Sequence, residues 1–248
     1  MTRGELFAEG KTKRVWEVQG RHELAILESK DDITAGDGKK HDIIPGKARW
    51  ATTTTCNVFS LLAACGVPVA FREQLDETSF LADYTEMIPL EVVMRREAHG
   101  SFLKRRPDLL KGTVFPRHLF ELYLKTSGKK WQGQDIPCDD PLILQSGERL
   151  ELYIPSVPLE TQEPFLIIHT YDVPGFYQIG MIEEITRKTF SMLIAAWQIQ
   201  GIRLVDLIAS RAINLWSVFS LDELLELYRR EKKVSEELFA EIQAYRGR

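Results

Sequence analysis

The chain has 248 residues, 44% of them hydrophobic and 27% charged, with a formal net charge of −4. That is an ordinary globular composition, long enough for one domain or two closely packed lobes, and its mild acidity argues against general nucleic-acid or anionic-membrane binding, so any basic site must be local. Cys56, Cys65 and Cys138 are odd in number and lack CxxC spacing, which speaks against a disulfide framework or a zinc site and fits a reducing, cytoplasmic setting, while no apolar run reaches the roughly 18 residues of a membrane span.

Met1–Leu6 lacks the apolar core of a secretion signal. Leu6–Ala8 leads into a Gly-Lys turn, and Arg14–Val18 alternates as a strand should. Leu24–Leu27 is a second strand. Residues 31–47 then carry three glycines, four acids and three lysines. A solvated loop and a phosphate-handling loop both fit such a segment. From Ala51 to Cys65 the apolar positions Val58, Phe59, Leu61, Leu62 and Ala64 have helical spacing, and Gly66 is a natural stop. Val67–Phe71 reads as a strand and Phe80–Ala82 as another.

A second block opens at Met87–Met94, where Pro89 suits a strand edge better than a central strand. Residues 107–140 read as irregular, because prolines, glycines and the polar stretch Thr126–Asp140 interrupt them. Gly180–Gln200 sets Met181, Ile185, Phe190, Leu193, Ile194 and Trp197 on a helical stripe ended by Gly201. Ile202–Asp206 is predicted to be a strand, and Ser220 with Glu223 resembles a capping box opening a terminal helix. The fold class is α+β: a strand-rich lobe over residues 1–86 and a mixed α/β lobe over 87–248, an arrangement that implies a cleft.

Three constellations carry chemistry. Lys11 and Lys13 flank Thr12 straight after Gly10, a turn that suits a nucleotide triphosphate tail or is simply a polar hairpin. It is not a Walker A loop, which is longer and runs into a helix. Arg95, Arg96, Lys104, Arg105 and Arg106 surround Gly100 and Ser101. Either they form a solvated run, or Arg95 forks onto a phosphate monoester while Ser101 supplies a hydroxyl and an N–H. In Asp139-Asp140-Pro141 the proline is expected to hold Asp140 extended at a turn, which presents a carboxylate or merely shapes the chain. His41 and His99 lie in these loops without a serine or cysteine arranged for a hydrolytic triad.

In order along the chain, Glu9–Lys13, Ser29–Asp37, Glu86–Glu91, Arg95-Arg96, Gly100–Arg105 and Asp139–Pro141 resemble the SAICAR synthetase family of purine biosynthesis, and most of all the form found in bifunctional animal enzymes. The likeness covers roughly the first 145 residues and is weaker beyond. It implies a two-lobed fold with an ATP cleft between the lobes. It also implies an ATP- and Mg2+-dependent ligation, in which the carboxylate of an aminoimidazole ribonucleotide is activated by the γ-phosphate and the amine of aspartate then displaces phosphate. On this resemblance Lys11 and Lys13 hold ATP phosphates, and Glu86–Leu90 meets adenine through backbone groups, Glu86, Ile88 and Leu90 among them. Asp37 faces the imidazole ribonucleotide. Arg95 and Ser101 grip its phosphate, Lys104 is a further substrate-binding residue, and Asp140 lies near the aspartate substrate. Relatives are commonly dimers or larger, so a homo-oligomer is implied.

The C-terminal half departs from the family. The expected Lys-x-Glu-Phe-Gly strand and hairpin are missing, and Leu204-Val205-Asp206 runs directly into Leu207–Trp216. A deletion of the hairpin leaves Asp206 as the metal-binding carboxylate. Ala209 or Ser210 then stands where the family has a second acid, and Asn214 where it has a phosphate-binding arginine, with Arg211 as the nearest substitute. The alternative reading is a repurposed or silent ATP- and ribonucleotide-binding relative.

Overall fold

The computed structural model describes residues 1–35, 40–199, 206–210 and 215–217. It divides into two compact units, Met1–Met87 and Ile88–Arg248.

In the first unit, β1 (Arg3–Glu9), β2 (Lys13–Val18) and β3 (Leu24–Ser29) form an antiparallel meander. The short strands β4 (Asp32–Ala35) and β5 (Lys40–Ile43) pair with each other, so the described parts of the 31–47 segment are a hairpin rather than an open loop. Helix α1 (Lys47–Ala64) follows, then β6 (Phe71–Gln74) and β7 (Ser79–Asp83), completing a five-stranded sheet in the order β1-β2-β3-β7-β6. Alternation in β3 divides the core. Ala25 and Leu27 pack with Cys56 of α1, Phe80 and Ala82, while Leu24 and Ile26 pack with Val18 and Leu81 on the other face. Phe59 of α1 stacks 5.9 Å from Phe71, which lies 5.8 Å from Phe80.

Both ends of α1 are closed by specific bonds. Asp31 accepts from the backbone N–H groups of Ala48 (2.8 Å) and Gly46 (3.2 Å), which lack partners inside the helix. At the other end Gly66 donates to the Ala63 carbonyl and Val67 to that of Leu62, the paired bonds of a Schellman cap. This cap draws in Val67, and Pro68 has no N–H, so β6 begins at Phe71 rather than at Val67.

The second unit is built on β8 (Leu90–Glu97), the one-turn α2 (Phe102–Arg105), β9 (Val114–Leu124), the two-residue strands β10 (Lys130–Trp131) and β11 (Gln134–Asp135), β12 (Leu142–Ser146), β13 (Arg149–Tyr153), β14 (Leu166–His169), α3 (Ile179–Ile199), β15 (Asp206–Ser210) and β16 (Leu215–Ser217). Seven of the strands form one antiparallel sheet in the order β14-β13-β12-β9-β8-β15-β16. Leu90, Val92, Leu122, Leu124, Ile143, Leu150 and Leu152 make its core, with Phe176, Ile179 and Ile182 against them. No helix among the described residues is long and apolar enough to cross a membrane.

The expectation that residues 107–140 are irregular is overturned by β9, an eleven-residue strand. Pro116 falls in its exposed first half, and the alternating Phe120–Leu124 half becomes central between β8 and β12. Of the predicted strand Ile202–Asp206, only Asp206 is among the described residues, where it opens β15; Gly201 and the Ser220–Glu223 capping box lie outside them.

Gly175 has φ +76°, and a Cβ there would sit 2.7 Å from Ile88 Cγ1. Gly175→Ala is therefore expected to cost about 1–3 kcal/mol, from left-handed backbone and crowding together. Urea unfolding would check this, with Ile88→Ala recovering part of the loss. A cost under about 0.5 kcal/mol, the level of an inert surface change, would mean that the turn relaxes freely.

Candidate functional site

In the first unit Lys11 is exposed, in the turn that Gly10 N–H closes onto the Lys13 carbonyl at 2.8 Å. Lys13 opens β2 and points into a half-buried setting. Burial first, and then the charge of Lys47, bring its pKa down to about 8. Lys47 is also held below the ordinary lysine range, because burial outweighs the Asp31 and Asp32 carboxylates. Its Nζ donates to the Lys30 carbonyl (3.0 Å). Sequence reasoning paired Lys13 with Lys11; the structure gives it Lys47 as its electrostatic neighbour, a residue no local signal singled out. Two desolvated lysines, Lys13 opening β2 and Lys47 opening α1, can neutralise a multiply charged anion. Asp37 lies outside the described residues.

Glu86 is exposed, Ile88 half-buried and Leu90 fully buried. The Leu90 N–H turns back to the Ile88 carbonyl (2.8 Å) and Lys125 N–H takes the Pro89 carbonyl (2.9 Å), so part of this segment's polar backbone is already engaged.

The second unit gathers its charged residues along β8 and β9. Lys125 Nζ donates to Asp140 (2.6 Å) and to Glu91 (3.1 Å). Burial works against the ammonium charge, yet Asp140 and Glu91 hold its pKa above the ordinary value. Asp140 is not extended as predicted: its φ is +47°. Aspartate tolerates this left-handed conformation, and reciprocal bonds lock it, Thr126 N–H to Asp140 Oδ1 (3.0 Å) and Asp140 N–H to Thr126 Oγ1 (2.9 Å). Glu121 and Tyr123 of β9, with Lys125 just past its end, continue one period-two signal that was legible, missed because that stretch was read as irregular.

Arg95 is only 6% exposed, and its Nε donates to Glu121 (2.6 Å). Arg105 Nη2 takes the other Glu121 oxygen, and Tyr123 donates to Glu121 at 3.2 Å. Both guanidiniums lie over the Phe102 ring, 5.6 and 5.0 Å from its centroid. Burial opposes the charge on Arg95, but Glu121 outweighs it and raises the pKa further. The predicted phosphate grip is thus a buried, carboxylate-anchored arginine rather than a solvent-facing one. Ser101 and Lys104 are exposed around α2, and the Ser101 hydroxyl makes no cap bond. Gly100 has φ +58° with open space where a Cβ would go, so the turn, not close approach, demands glycine.

β15 places Asp206 directly opposite Arg95 on β8. The structure therefore joins Asp206 to the Arg95 end of β8, while Lys125 and Asp140 gather at Glu91, four residues and roughly 13 Å along the same strand. Arg211 lies outside the described residues. Among the described residues no three His, Cys, Asp or Glu side chains are grouped to hold a metal.

Compared with known proteins, residues 6–148 match the SAICAR synthetase family model. The chain is 30% identical to a phosphoribosylaminoimidazole-succinocarboxamide synthase of Herpetosiphon aurantiacus, over 98% of this chain and 95% of that one. It is 32% identical to a probable multifunctional protein of Caenorhabditis elegans, over 82% of this chain and 43% of that protein. The chain spans less than half the length of the multifunctional relatives it matches. Among solved structures, a SAICAR synthetase (type 2) in complex with ADP superposes with a TM-score of 0.62 at 26% identity, covering 96% of each chain. With more than half of its length matched and relatives aligned nearly end to end, the chain belongs to the SAICAR synthetase family.

Proposed function

We propose that the chain is an ATP- and Mg2+-dependent ligase that joins carboxyaminoimidazole ribonucleotide to L-aspartate, forming the succinocarboxamide of purine biosynthesis. The observation that carries the reading is the nearly end-to-end match to a relative named for that reaction. The ADP in the complex of a structural neighbour supports the nucleotide part. Residues 1–86 act as the phosphate-handling lobe and 87–248 as the lobe that carries the ribonucleotide and the catalytic residues. Lys11, Lys13 and the neighbouring Lys47 take the triphosphate, and Glu86, Ile88 and Leu90 frame the adenine. Asp37, Arg95, Ser101, Lys104 and Arg211 hold the ribonucleotide. Arg95 enters this role pre-ordered by Glu121, so little side-chain entropy is lost on binding.

Asp140, kept close to Lys125, orients the aspartate amine toward the activated carboxyl carbon. The amine nitrogen forms the amide bond there, the phosphate leaves with the electrons of the C–O bond, and the amine gives up a proton. Asp206 would hold Mg2+, which would neutralise phosphate charge when bound. Most of the work left to the side chains is positioning.

Asp206→Asn is expected to lower magnesium-dependent turnover by about a hundredfold or more, the scale of removing one electrostatic stabiliser. Unchanged turnover would remove Asp206 from the metal's ligands. The deciding assay is ADP release with Mg2+, ATP and the ribonucleotide, with and without aspartate. Aspartate-dependent release with equimolar succinocarboxamide supports the ligase. Release that ignores aspartate, or none despite ATP binding, overturns it.

A further inference from the structure

We propose that Arg96, His118 and Arg187 form a second anion site on the α3 side of the sheet, taking a phosphate dianion either free or as a phosphate monoester. It does not depend on the ligase reading. Arg95 and Arg96 are consecutive in β8, yet they serve different surroundings. Arg95 goes to Glu121 and Arg105. Arg96 acts on His118 of β9, as does Arg187 of α3. The β8–β9 register is irregular just here, Arg95 pairing with Leu119 but Glu97 with Val114. Such a bulge re-aims the side chain between the paired positions.

What marks the place is an unmet donor. Among the described residues, Arg96 Nη1 is buried and has no hydrogen-bond partner, which for a buried polar atom calls for an explanation. Arg187 contributes charge more than free donors: its Nε (2.8 Å) and Nη2 (2.6 Å) go to Glu183 and its Nη1 to the His118 carbonyl (3.2 Å). These bonds fix the guanidinium over the β8–β9 edge, where Nη1 is also 4.0 Å from Met94 Sδ. Phe190 meets the His118 ring edge-on at 4.9 Å and limits its rotation. Burial, then Arg96 and Arg187, hold the imidazole below its usual pKa, so near neutral pH the ring is uncharged and has one N–H to donate. Among the described residues, two guanidiniums with the carboxylate of Glu183 on one of them, a buried donor without a partner, and a half-exposed rim at Arg187 describe a place electrostatically short of an anion. A tetrahedral dianion fits because it accepts from several directions at once.

The test follows the His118 ring resonances by NMR in the full chain, assigned by their loss in His118→Gln, while inorganic phosphate or ribose 5-phosphate is added. Movement with both ligands supports a site that reads the phosphate group itself. Movement with ribose 5-phosphate alone supports a monoester site. Arg96→Gln is expected to weaken the affinity by about tenfold or more, the equivalent of one charge-assisted hydrogen bond. Should that variant fail to fold, the exposed Arg187→Gln decides, with a loss of several-fold expected. No movement of the His118 signals with either ligand overturns the proposal, as does undiminished affinity in the folded variant.

Discussion

Glu121→Ala is expected to lower the melting temperature by roughly 10 °C or more. The carboxylate lies between Arg95 and Arg105, with the three side chains 6, 7 and 4% exposed on the sheet. Removing it leaves two guanidiniums with their charge uncompensated in a desolvated setting. Breaking a buried pair from one side costs about 3–5 kcal/mol, and for a chain of this size each kcal/mol moves the midpoint by about 2–4 °C. Glu121→Gln keeps an acceptor but not the charge, so it should fall between wild type and alanine. Because the cluster is buried, added salt should change the difference little. Calorimetry of the three proteins checks the prediction. A shift under about 2 °C, corresponding to less than 1 kcal/mol, would mean that both arginines turn out to water and are not held as described. If Arg95 serves the ribonucleotide phosphate, Glu121→Gln should also raise the apparent constant for that substrate while sparing the one for ATP.

The second large effect concerns Lys13. Lys13→Ala is expected to raise the KM for ATP by about ten- to a hundredfold, the equivalent of about 1.5–3 kcal/mol for hydrogen bonds to a charged partner. A pH signature accompanies it. With the Lys13 pKa brought to about 8, the free protein carries the ammonium below that pH and loses it above. For wild type, kcat/KM for ATP should therefore hold up to about pH 8 and then fall, by as much as tenfold per unit, because this ratio reports the free enzyme's groups. Lys13→Arg, charged throughout, should abolish that break. Lys47→Gln should move it upward, since the Lys47 charge is the second cause of the depression. Steady-state kinetics between pH 6.5 and 9.5 would read all three. A break that persists in Lys13→Arg would assign it to another group.

How much of this was legible from residues alone varies by element. The alternation of Arg14–Val18, the apolar run Leu24–Leu27 and the helical spacing that ends at Gly66 were read as strands and helix and are found as β2, β3 and α1. Such patterns depend on neighbours one to four residues away. Strand β9 was missed because Pro116 and the polar tail at Thr126 masked the period-two run between them. A central strand is decided by the partners on either side of it, here β8 and β12, which no local window contains.

The ordered motifs also carried the family, since their identities and spacing survive without any knowledge of packing. The state of the charged residues did not travel with them. That Arg95 is buried against Glu121, 26 positions away, that Lys125 is shared by Glu91 and Asp140, and that Lys13 titrates low beside Lys47 all depend on which side chains the sheets bring together. Residue type and order sufficed for strands β2 and β3, the α1 helix and the lineage. Burial and the field of sequence-distant charges, which exist only once the chain is packed, determined which cations are anchored, which are weakened and which donor is left without a partner.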